Sequence, residues 1–280
     1  MNIQVLCTTM NQETALPLCN KMNIQSDVIF ANQCDKVYFE ETNYGDYIVK
    51  MIATNTVGVG INRNMALMYA NADICLLADD DLRYVDGYVQ IVEDAFQKLP
   101  DADAIIFNIE TVGANVKRRI NSKIKRVRFF NCLNYGAPRI AFRTKSIMRE
   151  NIMFSRCFGG GTAFSAGEDS LFITDMLRKK IKIYTYPKKI AEVDQRSSTW
   201  FTGYNKKLLY DRGVLYAALS LKLSKLLCIQ ALIRHKELYV HSKMNFLEAY
   251  QIMKNGIKGY SDLISFSSLE KCCYSKEKTL

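Results

Sequence analysis

Short apolar runs that stop at polar clusters alternate with helical periodicity over the first half of the chain. Residues 3–8 read as a strand ending at Thr8, Thr9, Met10 and Asn11, and a short helix follows over 13–21, with Pro17 tolerated near its start. Residues 26–31 give a second strand that ends at Asn32, Gln33, Cys34 and Asp35, and 37–40 and 47–53 give two more. A glycine loop over 55–64 opens a helix over 62–71, whose apolar face is Met65, Leu67, Met68 and Ala72. Apolar residues 74–78 then run straight into Asp79, Asp80 and Asp81, and a helix over 85–98 is stopped by Pro100. Strands alternating with helices predict a mostly parallel sheet covered on both faces.

The second half changes character. A strand over 103–109 is followed by 117–128, dense in Lys and Arg, and by a strand over 139–143 at a site edge. Residues 158–162 form a glycine loop, leading to a helix that starts at Gly167, Glu168 and Asp169 and runs to about 179. A strand over 181–186 is closed by Pro187, and from 205 the pattern is helical. Residues 214–233 have the length of a membrane span but contain Lys222 and Lys225, each costing about 2.5–3.5 kcal/mol at mid-bilayer. An amphipathic helix lying on a membrane or on the core fits better. The expected fold is therefore α/β, with a catalytic-type domain over 1–204, in halves 1–110 and 111–204, and a basic helical region over 205–280.

Composition narrows the partners. The chain has 280 residues, 49% hydrophobic, with net charge +10, which favours anionic ligands such as nucleotide phosphates or an acidic lipid face. Residues 205–280 alone carry thirteen Lys/Arg against six Asp/Glu. Nine cysteines with no C-x-x-C pair read as reduced thiols of a cytosolic protein, and residues 1–7 lack the basic start of a signal peptide.

Three consecutive carboxylates repel one another unless a cation, a helix N-terminus or water takes up the charge. At the end of a buried strand they make a hard-oxygen site for Mg²⁺ or Mn²⁺, or an acidic turn opening a helix with Asp81 as cap. Gly58 and Gly60 resemble a dinucleotide fingerprint, but Arg63 stands where the third glycine belongs, and no P-loop pattern exists. Arg63 reads either as a surface residue on a first helical turn or as a partner for a diphosphate. Glu168 and Asp169 read either as acids favouring a helix N-terminus or as a general base at the lip of a glycine loop. His235 and His241 read as surface residues, and Trp200 as a packing aromatic or a stacking platform for a sugar ring.

Together these residues resemble the family 2 glycosyltransferases of GT-A fold, over about residues 2–201. Thr8, Thr9 and Asn11 look like the edge where the nucleotide enters. The Asn55…Gly58…Arg63–Asn64 stretch looks like the family's segment before the metal strand. Asp79–Asp81 match the D-x-D element, and Gly167–Glu168–Asp169 match the acidic acceptor-side motif. The chain departs from the family after the second strand, where Gln33 and Asp35 stand in place of an Asp–Asp or Asp–Gly–Ser. It departs again at 195–200, only loosely similar to the Q-x-x-R-W of processive synthases, which favours a single-addition enzyme.

The resemblance implies a donor site of Thr8, Thr9, Asn11, Gln33, Asp35, Arg63, Asp79 and Asp80, with Mn²⁺ or Mg²⁺ held by Asp81 and Asp79. It implies Asp169 as general base with Glu168 beside the acceptor, and acceptor contacts at Gly160, Gly161 and Trp200. The implied partners are a nucleotide-sugar donor of UDP type and a glycan or lipid-linked acceptor that the basic 117–128 segment would suit. An anionic membrane surface is a further partner, nucleic acid is not expected, and the implied location is cytoplasmic, peripheral on the membrane face. Two other classes compete. A sugar-1-phosphate nucleotidyltransferase would carry a glycine-rich N-terminal loop, which Thr8–Asn11 lacks; a basic nucleic-acid binding protein would interleave aromatics within 117–128, whereas Phe129 and Phe130 come only at its end.

Overall fold

The computed structural model describes residues 1–112, 120–194, 205–241 and 243–276, with side chains described throughout except at 194 and 265–276. The runs of apolar residues form one sheet. An interior strand, β1 (Ile3–Met10), is buried on both faces and pairs in parallel with β2 (Asp27–Gln33) on one side. Strand β3 (Tyr38–Tyr44) lies antiparallel to β4 (Tyr47–Thr54), and β4 continues the parallel set from β2. On the other side of β1 lies β5 (Ile74–Asp79), again parallel.

Beyond β5 the directions mix. The remaining strands are β6 (Leu82–Tyr84), β7 (Ala104–Val112), β8 (Lys125–Arg126), β9 (Ile140–Arg143) and β10 (Ile183–Asp194). Their order gives β3-β4-β2-β1-β5-β9-β7-β10-β6, with β8 on β10. Strand β9 inserts antiparallel between β5 and β7, and β7 pairs in parallel with β10. Most strands thus point the same way, which is the mixed but mostly parallel α/β sheet expected from the alternation of elements.

Alternation along each strand sends side chains to opposite faces, and both faces are dry. Val5, Cys7, Phe30, Leu76 and Phe107 join one core with Leu18 and Met22 of α1 (Leu16–Met22) and with Val92 and Phe96 of the helix Tyr88–Lys98. Leu6, Ile29, Leu77 and Ile106 join the other with Ala66 and Leu67 of α2 (Val59–Met68). We number the Tyr88–Lys98 helix α3, Thr144–Arg149 α4 and Glu168–Arg178 α5; Ile147 of α4 and Phe172 and Met176 of α5 complete that second core.

Several expectations are corrected. Helix α2 starts at Val59, not 62, so Gly60 lies inside it. Pro187 does not close the last strand: β10 runs through it, and the pairing with β7 shifts register between Thr185 and Lys189, where proline has no N–H to give the ladder. The aspartate run opens no helix; it turns into β6. The apolar stretch 214–233 is not one helix but two, α6 (Lys206–Leu219) and α7 (Ser224–Arg234). Ser220 makes the break, its hydroxyl accepting from the Leu223 N–H at 3.3 Å. Trp200 and Lys117–Arg119 lie outside the described residues.

The chain divides into two compact units, Met1–Thr162 with Glu168–Ser198, and Ala163–Gly167 with Thr199–Leu280. In the second unit α6 and α7 are followed by α8 (Glu237–Val240) and α9 (Phe246–Lys276). Helices α6 and α9 touch through glycine: a Cβ on Gly213 would lie 2.0 Å from the Met253 carbonyl oxygen, and one on Gly256 2.2 Å from that of Tyr210. Buried Asp211 pins 163–167 to α6, accepting from the Ser165 N–H at 3.0 Å, the Ser165 hydroxyl at 2.8 Å and Lys207 Nζ at 2.6 Å. No described helix is long and apolar enough to cross a membrane.

Candidate active site

Parallel strands β4, β2, β1 and β5 end at one edge, and the crevice outside such an edge is where ligands bind in open α/β sheets. Register places Thr8 of β1 beside Asp79 of β5, and the Thr8 hydroxyl donates to Asp79 Oδ1 at 3.0 Å. The Thr9 hydroxyl donates to Asp80 Oδ2. Asp80 and Asp81 form the turn into β6, and Asp81 is exposed.

Gly58 and Gly60 serve close packing. The backbone at Gly58 has φ +130°, and a Cβ there would lie 2.8 Å from Thr162 Cγ2; one on Gly60 would lie 2.2 Å from the Ser155 carbonyl oxygen. The start of α2 is thereby pressed onto the 155–162 segment, with the Val59 N–H donating to the Gly160 carbonyl at 3.1 Å. This fixes the direction of the next turn, which carries Arg63.

Arg63 is not on the surface. Its side chain is 4% exposed, and it meets both acidic clusters. Nη2 lies 2.9 Å from Asp79 Oδ1, and Nη1 lies 3.1 Å from Glu168 Oε1 and 2.5 Å from Asp169 Oδ1. The guanidinium also sits over the Phe154 ring, 5.3 Å from its centroid. Burial pulls the Arg63 pKa down, but Asp169, Asp79 and Glu168 outweigh it and hold the group above its ordinary value. The other Asp169 oxygen accepts from the Ala137 backbone N–H at 2.9 Å, just ahead of β9.

Glu168 is pushed up to about 7, first by burial and then by the adjacent Asp169 charge, against the pull of Arg63. A carboxyl raised above its unfolded value binds more protons in the folded state, so its contribution to stability falls as pH rises from about 4.5 to about 7. Relative to Glu168→Gln, which mimics the protonated form, the wild type should therefore lose melting temperature across that window. An equal slope in both proteins would show that Glu168 is not the group responsible.

The remaining expected donor residues lie at the same edge. Gln33 Oε1 accepts the Gly58 N–H at 2.9 Å; exposed Asn11, at φ +53°, donates its N–H to the Gln33 carbonyl at 2.9 Å; Asp35 is exposed beyond β2. Gly160 is half-buried and Gly161 exposed at φ +80°. Sequence reasoning missed the Ala137 N–H, which has no side-chain signature, and Asn62, whose amide donates to the Thr9 and Ala31 carbonyls at 3.3 and 3.2 Å.

Among the described residues no three His, Cys, Asp or Glu side chains are gathered to hold an ion by themselves. The donor chemistry still suits a hard cation. Both hydrogen bonds of Asp79 fall on Oδ1, and Asp81 presents an exposed carboxylate on the adjoining turn. One or two carboxylates completed by substrate phosphates is the usual protein share of a Mg²⁺ site.

Residues 31–154 match the family described as glycosyl transferase family 2. Within that segment the chain carries a family 2 glycosyltransferase domain. The matched segment holds Arg63 and Asp79–Asp81, while Glu168 and Asp169 lie beyond it. The chain's fold is similar to that of S. aureus TarS 1–349 in complex with UDP-GlcNAc, at 17% identity and TM-score 0.65, over 93% of this chain and 80% of that one. The TarS 1–349 complex with UDP gives 15% identity and TM-score 0.62, over 92% of this chain and 81% of that one. A longer TarS structure gives 17% and 0.58, over 84% of this chain and 43% of that one. At these identities the likeness to TarS is one of fold. No curated protein matches the sequence.

Proposed function

We propose that this family 2 glycosyltransferase is an inverting enzyme that moves a sugar from a nucleoside-diphosphate sugar, of UDP type, to a hydroxyl of a glycan or lipid-linked acceptor in surface polysaccharide synthesis. The observation that carries the reading is the buried Arg63 guanidinium, which joins Asp79 of one acidic cluster to Glu168 and Asp169 of the other. The UDP-GlcNAc and UDP complexes of TarS, a protein of similar fold, support a nucleotide-sugar donor. The reading places the enzyme in the cytoplasm.

The chain's residues act as follows. Thr8 and Thr9 hold Asp79 and Asp80 at the strand ends, which fixes the carboxylate edge where a cation would accompany the donor diphosphate. Asp169, oriented by Arg63 and the Ala137 N–H, takes the proton from the acceptor hydroxyl. The acceptor oxygen forms its bond to the anomeric carbon from the face opposite the diphosphate, and the bond to the diphosphate oxygen breaks with its electron pair. That single displacement inverts the anomeric centre and needs no covalent enzyme intermediate. A divalent ion on Asp81 and Asp79 would neutralise charge on the departing nucleoside diphosphate.

The test is nucleoside diphosphate release from a panel of sugar nucleotides, with Mn²⁺, Mg²⁺ or chelator. Release is expected with a UDP-sugar and a divalent ion, and chelation should abolish most of it. Absence of binding or turnover with every sugar nucleotide, with or without metal, would overturn the proposal.

A further inference from the structure

The turn between α6 and α7 and the outer face of α7 present an apolar surface with a basic fringe. Leu221, Leu223, Leu226 and Ile233 are 50%, 54%, 63% and 61% exposed. Leu226 and Ile233 are seven residues apart and share one face of α7, and Leu223 lies one turn before Leu226. The opposite face, with Ser224, Cys228, Ala231 and Leu232, is buried within the helical unit. Two large aliphatic side chains on one face of α7, with two more on the turn that leads into it, all held out in water, mark an interaction surface rather than scattered exposure.

The charge around this surface says what covers it. Exposed Lys222 and Lys225 interleave with the leucines, and exposed Arg234 and Lys236 follow Ile233. No Asp or Glu occurs anywhere from 213 to 236. A second copy of this chain would bring the same positive charges face to face, which disfavours self-association through this patch. Lipid headgroups of negative charge would meet the Lys and Arg side chains while the leucines enter the boundary between headgroups and acyl chains. No described helix can cross a bilayer, so the contact is with its surface.

We propose that the Leu221–Leu226 turn and the outer face of α7 form a docking surface for an anionic lipid bilayer. The surface lies in the second compact unit and uses no residue of the transfer site. It would hold the enzyme where lipid-linked acceptors are found.

The experiment is flotation of the full chain with phosphatidylcholine vesicles and with mixed phosphatidylcholine–phosphatidylglycerol vesicles, together with sedimentation of the protein alone. The wild type should float with the mixed vesicles, not with the neutral ones, and raised salt should release it. A Lys222→Gln, Lys225→Gln, Arg234→Gln variant should bind roughly a hundredfold more weakly, about fivefold for each basic residue removed. A Leu223→Ser, Leu226→Ser, Ile233→Ser variant should lose flotation. Both variants should keep the wild-type melting curve and nucleoside diphosphate release, so loss of flotation cannot be loss of fold. The proposal falls if the wild type does not float with mixed vesicles, or if either folded variant floats as well as the wild type. It also falls if the wild type sediments as a dimer that the leucine variant dissociates. Flotation needs no sugar nucleotide, so its failure would leave the glycosyltransferase reading standing, and failure of turnover would leave the docking surface standing.

Discussion

An Arg63→Met variant should be strongly destabilising. Methionine fills much of the same space but leaves Asp79, Glu168 and Asp169 facing one another without a cation. Removing one partner of a buried ion pair typically costs about 3–5 kcal/mol, because the other charge stays buried and uncompensated. Asp79 and Asp169 are a third and a quarter exposed, so water should soften that figure, and we expect a loss of about 2–4 kcal/mol at neutral pH. The loss should shrink as pH is lowered through about 7, since Glu168 then takes up a proton and leaves less buried negative charge for Arg63 to meet. Urea unfolding at two pH values reads both effects. Arg63→Lys should recover only part of the stability, because one ammonium cannot make the forked contacts of a guanidinium. Wild-type stability in Arg63→Met at neutral pH would mean that the guanidinium does not hold the two acidic clusters together.

The same residue shows where reading the sequence reaches and where it stops. The two acidic clusters are legible because each breaks a local pattern: Asp79 to Asp81 end an apolar run, and Glu168 and Asp169 follow glycine at a helix start. Their joining is not legible. Arg63 lies 16 residues from Asp79 and 105 from Glu168, and an arginine on a helix reads by default as solvated. Its burial depends on glycines that let α2 close on the 155–162 segment, and a glycine-rich loop suggests a ligand as readily as packing. The parallel strands were readable from their length and apolar content. Strand β6 was not, having three residues, and β10 was cut short at Pro187 because a register shift that accommodates proline leaves no trace in composition. The break after α6 had a quieter sign in Ser220, whose side chain competes for the backbone N–H of Leu223.

Asp169→Asn and Asp81→Asn should both abolish most turnover, and the way each does so separates their roles. If Asp169 takes the acceptor proton, its amide variant should lose about 10²–10⁴-fold in kcat. Asparagine can still accept the Ala137 N–H, so the local fold should survive and UDP-sugar affinity should stay near wild type. Asp81 makes the turn after β5 and is exposed. If it meets the cation that accompanies the diphosphate, its amide variant should bind donor more weakly, and the weakening should vanish when both proteins are compared in chelator. Isothermal titration with UDP in Mn²⁺ and in chelator, set beside turnover, distinguishes the two. Wild-type turnover in Asp169→Asn would remove it as the base. Glu168 would then be the remaining candidate: it touches the same guanidinium, and burial and the Asp169 charge bring its carboxyl to about 7, where proton acceptance and release are balanced at working pH.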